Sequence, residues 1–193
     1  LPDRLDARDV VHHALRQVDR ARLAADVHGA GAAQRMEPGE HFYETWVNFS
    51  NLTPIPNQGG TADCIIIQHK RMIVADWKFG KGVRVDAEQN TQLMLYAYGA
   101  LLKFGVDFDI REIEIRIAQP RLNHFDSWTL TTKELLAFAK YAKERMHAAW
   151  NLDAPRTPGV DQCQWCNVKA TCAAHLKFQE RLMGCAFDDL FSE

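Results

Sequence analysis

The residues able to do chemistry crowd into one stretch, GGTADCIIIQHKRMIVADWKFGKG (59–82). Asp63 opens the apolar run CIII, Asp76 closes the run MIVA, and Lys78 follows two residues later. Side chains at i and i+2 share one face of a strand, so Asp76 and Lys78 project together and Trp77 points away. The polar QHKR between the runs predicts a tight antiparallel turn, which brings Asp63 opposite the Asp76–Lys78 end. Two carboxylates at one buried edge repel unless a cation lies between them. Their hard oxygens suit Mg²⁺ or Mn²⁺, with the main-chain carbonyl of Trp77 as a further ligand. A lysine beside such an ion orients an attacking water and stabilises the hydroxide that develops, a set suited to metal-assisted hydrolysis of a phosphodiester. A bare D-x-K is more often a structural ion pair at a strand end, so the neighbouring motifs must decide between the two.

A second group lies near the C-terminus: Cys163-x2-Cys166-x5-Cys172, with His175 completing C-x2-C-x5-C-x2-H. C-x-x-C lets two thiolates reach one ion, and the fourth position suits Zn²⁺. Five cysteines, an odd number, with no secretory pattern at the start of the chain argue against a disulfide framework and for a reducing, cytoplasmic setting.

The elements that must position these groups read as a mixed α/β chain. Residues 7–26 have helical apolar spacing and carry His12 and His13. FYETWVNF (42–49) alternates as a strand, and the quoted stretch gives strands at about 61–68 and 72–79. Residues 87–104 form an apolar helix that bears Gln92 and Tyr96 on one face. REIEIRIAQ (111–119) alternates, with Ile113, Ile115 and Ile117 on one side. Residues 131–150 form an amphipathic helix; Thr131 or Thr132 caps it and Glu134 suits a capping box. A proline-rich linker, DAPRTPGVD, separates a core at 1–152 from the cysteine segment at 153–193, whose last helix runs to about Met183. The chain of 193 residues is 47% hydrophobic, enough for one substantial core. A net charge of −2 excludes a histone-like basic binder but not nucleic acid, because an acidic metal site cancels basic residues in the sum. No run approaches the roughly 20 apolar residues of a membrane span. Gly59 and Gly60 allow either a close approach of backbone or a positive φ. The loop FGKGVR after Lys78 joins glycine freedom to Lys81 and Arg84; it suits a phosphate backbone and a solvated turn equally.

G-x-x-D at Gly60 and Asp63, D-x-K at Asp76 and Lys78, and Q-x-x-x-Y at Gln92 and Tyr96 stand in the order of the PD-(D/E)XK nuclease superfamily, in its RecB-like branch. Together with DWKFGKGVRVDAEQNTQLMLYAYGALLKFG, IAQPRLNHFDSW and CQWCNVKATC, they resemble a phage and prophage family of RecB-like proteins from about Glu44 to about His175. The resemblance implies a restriction-endonuclease-like core, a central mixed sheet flanked by helices with the cysteine segment packed on it. It implies a Mg²⁺- or Mn²⁺-dependent DNA nuclease, an exonuclease rather than an endonuclease, serving phage recombination, replication or processing in the host cytoplasm. Its partners would be DNA and phage recombination or replication proteins, with no membrane. Asp63 and Asp76 would hold the metal, Lys78 would be the catalytic lysine, and Gln92 and Tyr96 would contact DNA or order the site. Relatives add a histidine or acid from a helix before the first strand. His13 is the candidate here, although DVVHHAL lacks the G-T-x-x-H pattern of that element. Glu44 matches a strand glutamate of the branch. Iron–sulfur relatives use this three-cysteine spacing with a fourth cysteine ahead of the core, which implies a 4Fe-4S cluster on Cys163, Cys166 and Cys172; zinc with His175 is the alternative. Against the nuclease stand two other readings: a nuclease-fold module that binds DNA or a partner without cutting, and a metal-stapled structural protein.

Overall fold

A computed structural model describes residues 38–80 and 82–191, with side chains through Gly184. The expected first helix with His12 and His13, the loop lysine Lys81 and the side chain of Cys185 lie outside the described residues. The chain divides into two compact units, Leu1–His147 and Ala148–Glu193. The division falls in the last turn of a helix, a few residues before the proline-rich linker expected to mark it.

The first unit is built on one five-stranded sheet in the order β1-β2-β3-β4-β5: Glu40–Asn48, Gly59–Gln68, Arg71–Trp77, Glu112–Gln119 and His124–Thr131. Neighbours pair antiparallel except β3 and β4, which are parallel. A parallel pair needs a crossover, and helix α1, Thr91–Phe108, supplies it. The β2–β3 turn is only His69–Lys70, with Lys70 at φ 60°. The central strands read as unbroken apolar runs because both of their faces are covered. Ile65, Ile67, Met72, Val74, Ile113, Ile115 and Ile117 form the main core with Leu93 and Ala97 of α1 and with Leu135 and Ala139 of α2, Thr132–Trp150. On the opposite face Cys64, Ile66 and Ile73 pack with Tyr43, Ala75 and Trp77. There Glu114 is buried between Arg71 and Arg116; Arg116 grips it with Nε–Oε1 at 2.7 Å and Nη2–Oε2 at 2.9 Å. A buried bidentate pair specifies geometry more than it stabilises; this one lies within β4, and the contact of Arg71 with Glu114 ties β3 to it.

Three boundaries differ from the sequence reading. β5 was not expected: HFDSWTLT is half exposed, with polar residues at His124, Asp126 and Ser127 and a single fully buried position at Leu130, so its apolar signal is weak. Helix α1 starts at Thr91 rather than 87, because the Asn90 side chain accepts the Leu93 N–H at 3.1 Å and caps it there. The last helix runs on to Phe191. The capping box of α2 is reciprocal, as its sequence suggests: the Thr131 hydroxyl accepts the Glu134 N–H and the Glu134 carboxylate accepts the Thr131 N–H. The second unit holds the short helix α3, Val160–Gln164, and α4, Ala173–Phe191. Among the described residues no helix is long and apolar enough to cross a membrane.

Candidate functional site

Strand register alone assembles the site. Cys64 pairs with Ala75, so the next position places Asp63 against Asp76. Asp76 pairs in turn with Ile117, and Ile117 with Asp126. On the other side Glu44 lies between the pairs Tyr43–Cys64 and Thr45–Ala62, at the level of Asp63. One row across the sheet therefore reads Glu44, Asp63, Asp76, Ile117, Asp126. Glu44 interrupts its own ladder with φ 45°, a conformation that costs a non-glycine residue about 1–3 kcal/mol and tends to occur at functional sites.

Asp76 is 7% exposed, and Lys78 Nζ lies 2.8 Å from its Oδ2. That approach is an ion pair by distance only: no donor is directed along a hydrogen bond to the buried Oδ2, which keeps lone pairs for another partner. Asp63 Oδ2 accepts the Trp77 N–H at 2.8 Å. The N–H and C=O of one strand residue point to the same side, so the Trp77 carbonyl also faces β2. Burial pushes the Asp63 carboxyl up to about 6. The Trp77 N–H bond opposes the rise, the charges of Asp76 and Glu44 add to it, and Lys78 pulls it down. Two adjacent carboxylates, Asp63 driven toward protonation by burial and Asp76 with an undirected buried oxygen, form a donor set that a hard cation would satisfy.

Gln92 and Tyr96 meet on the first turns of α1, Gln92 Nε2 donating to Tyr96 Oη at 3.2 Å. The tyrosine ring lies on the backbone of Gly60; a Cβ at that position would come within 2.4 Å of ring carbon Cε1. Close approach, not a positive φ, is what glycine supplies there. The pair is thereby set over the start of β2, three residues from Asp63.

The sequence reading missed a polar group beside this row. Between β3 and α1 the described residues 79–80 and 82–90 run as a strap. Asp86, His124 and Asp126 place one ligand atom each within 4.8 Å of one another, among the described residues the one such group of three or more histidine, cysteine and acidic side chains, and so a possible cation site. Its signal was the polar alternation of HFDS, hidden because β5 was not recognised. Arg84, expected at a phosphate backbone, is exposed, with Nε 2.8 Å from Asp86 Oδ1.

In the second unit, Cys163, Cys166 and Cys172 are half-buried free thiols. Cys172 precedes α4, where the His175 N–H holds its thiol below the usual range, aided by the Ala174 N–H and Arg156. Cys163 and His175 line one depression with Leu176 and Phe178, and His175 Nδ1 is buried without a hydrogen-bond partner. The three sulfurs do not gather within 4.8 Å of one another. Cys64 stays apart: it is fully buried in the second core cluster, and burial pushes its thiol up to about 12.

Fold and site together define an α/β protein whose mixed sheet presents two carboxylates and a lysine at one end. The model of the family described as "Protein of unknown function (DUF2800)" matches residues 25–190, and the chain belongs to that family. It is also similar to the solved structure "Crystal structure of SSO0001", with a TM-score of 0.38 and 15% identity over 87% of this chain and 69% of that one.

Proposed function

We propose that this protein is a Mg²⁺- or Mn²⁺-dependent DNA nuclease of the PD-(D/E)XK type, an exonuclease acting in phage DNA recombination, replication or processing. The observation that carries the reading is the placement of Asp63 against Asp76 in register, with Lys78 Nζ 2.8 Å from Asp76. Asp63, Asp76 and the Trp77 carbonyl would hold the ion. When bound, it would polarise a phosphoryl oxygen and acidify a water. The chain's own groups supply the rest. Lys78 is part exposed, so its ammonium reaches both Asp76 and solvent; it holds the attacking water and offsets the negative charge that grows on it. The buried main core behind Asp76 lowers the local dielectric and strengthens each of these interactions. Gln92 and Tyr96 offer an amide and a phenol to a phosphate or a base edge beside Asp63. The exonuclease preference comes from the resemblance to RecB-like proteins, which often process DNA ends.

In the second unit the donors suit a thiolate-rich metal centre. Cys172 is held toward its thiolate form, and His175 Nδ1 has an unused lone pair or proton. Cys163, Cys166 and Cys172 would hold a 4Fe-4S cluster; a zinc ion would take His175 as fourth ligand.

The test is substrate form. With Mn²⁺, linear DNA should be degraded and covalently closed circles spared, and EDTA should abolish the reaction. Rapid nicking of closed circles would replace the exonuclease with an endonuclease, and intact linear DNA under all metal conditions would remove the nuclease reading.

A further inference from the structure

The strap, residues 79–80 and 82–90, is fastened to the sheet by Gln119, His124 and Asp126. Gln119 Oε1 accepts the Val85 N–H at 2.7 Å, and its Nε2 donates to the Val83 carbonyl at 3.2 Å. His124 Nε2 lies 3.0 Å from the Val85 carbonyl. Asp126 Oδ2 accepts the Ala87 N–H at 2.8 Å. The same atoms explain the compact Asp86–His124–Asp126 group without an ion. Against a carbonyl, His124 Nε2 must donate, so it has no lone pair for a metal.

Register ties this clasp to the candidate active site. Trp77 pairs with Ala118 and the Lys78 N–H reaches the Ala118 carbonyl, so the following position sets Gln119 beside Lys78. Gln119 pairs with His124. The row Lys78, Gln119, His124 lies next to the row Asp76, Ile117, Asp126. The two rows that carry the lysine and the carboxylate therefore also carry the clasp.

Gln119 is 2% exposed and spends both ends of its amide on strap main chain, a costly arrangement for a buried polar side chain unless the strap must be held in place. The held segment is anchored from below by fully buried Ala87 and by Val85 packed on the main core. Its outer side is open. Val83 is 72% exposed and Phe79 40%, and a Cβ on Gly82 would meet nothing within 4 Å. Packing does not demand glycine there, whereas main-chain N–H groups of unhindered glycines admit a phosphate oxygen closely. Arg84 sits on the same segment between Val83 and Val85, exposed.

From this clasp we infer that Gln119 is a positioning residue: it fixes the strap as a guide for the nucleic-acid backbone and acts on DNA through Arg84. The inference rests on the nuclease reading for its substrate class, but its test does not require cleavage. The affinity of the full chain for a fluorescent DNA duplex is measured in Ca²⁺ for wild type, Gln119→Leu, Arg84→Ala and the double variant. Each single change should weaken binding about tenfold, and the double should match the stronger single change, because both act through one contact. A merely structural glutamine would leave the Arg84 effect intact and the two changes additive. Gln119→Glu keeps the Val85 bond and loses the Val83 bond; it covers the case in which Gln119→Leu does not fold, and should show the same non-additivity with Arg84→Ala. Additive effects, or wild-type affinity in folded Gln119 variants, overturn the inference. If wild type binds DNA but never cuts it, the nuclease reading fails while this coupling is still measured. If wild type does not bind DNA at all, the inference falls as well.

Discussion

Replacing Asp63 with asparagine should stabilise the ion-free protein at neutral pH. The folded-state pKa of Asp63 rises from 3.8 to about 6, with burial as the leading cause. A raised carboxyl pKa means that the folded chain keeps a proton which the unfolded chain has released. The benefit is complete below pH 3.8 and is lost between there and about pH 6, above which the folded state carries an ionised, partly desolvated carboxylate. At about 1.4 kcal/mol per unit the full shift corresponds to about 3 kcal/mol; the carboxylate is only part-buried, and solvent screening reduces this to roughly 1–2 kcal/mol. Asparagine removes the charge and retains a carbonyl oxygen for the Trp77 N–H, which Asp63 Oδ2 accepts at 2.8 Å. Urea denaturation in EDTA should therefore give similar stabilities for wild type and Asp63→Asn below the unfolded-state pKa of 3.8, a growing gap between there and about 6, and a gap of roughly 1–2 kcal/mol in favour of the variant near pH 8. Added Mn²⁺ should stabilise wild type and leave the variant nearly unchanged. A gap that does not vary with pH, or a variant that is the less stable of the two near pH 8, would refute the electrostatic reasoning on which the site rests.

Gly60→Ala forces a Cβ to within 2.4 Å of the Tyr96 ring, so the ring must move. Stability should fall by about 1–3 kcal/mol, and DNA cleavage should fall further than the change in folded fraction explains, read by denaturation and activity on one sample. Thr131→Ala removes half of the α2 capping box and should cost about 1 kcal/mol without altering metal binding, as followed by denaturation and calorimetry. Cys172, held toward its thiolate, should alkylate well before buried Cys64 in metal-free protein and be protected once metal is restored. Equal labelling rates mapped by mass spectrometry would contradict that environment. Anaerobically prepared full-length protein should contain about four irons per chain, and Cys166→Ala should lose them; one zinc per chain instead would assign the centre to the set that includes His175.

The site was legible where strand physics is local. The i, i+2 rule set Asp76 and Lys78 on one face, and the two-residue turn at His69–Lys70 sets the register that brings Asp63 to Asp76. The helical spacing of Gln92 and Tyr96 likewise predicts their contact. What the sequence hid was non-local. β5 owes its place to β4 rather than to an apolar pattern of its own, so neither the fifth strand nor the clasp that it completes was visible. Gln119 looked like the end of a strand; only the return of the strap over it makes both ends of its amide meaningful. The strain at Glu44 was equally out of reach, because nothing in FYETWVNF marks a positive φ at its third residue. The spacing of the cysteines suggests ligands, but the hydrogen bond of Cys172 to the His175 N–H depends on where α4 begins.

The nuclease proposal stands or falls on the cleavage of linear duplex DNA by purified full-length protein, followed with Mn²⁺, with Mg²⁺ and with EDTA, for wild type, Asp76→Ala and Lys78→Ala. The arrangement of Asp63, Asp76 and Lys78 predicts metal-dependent cleavage by wild type, inhibition by EDTA, and a loss on the order of 10²-fold or more in each variant while its circular dichroism is retained. Cleavage at the wild-type rate by either variant, or none by the wild type with any divalent ion, would contradict it.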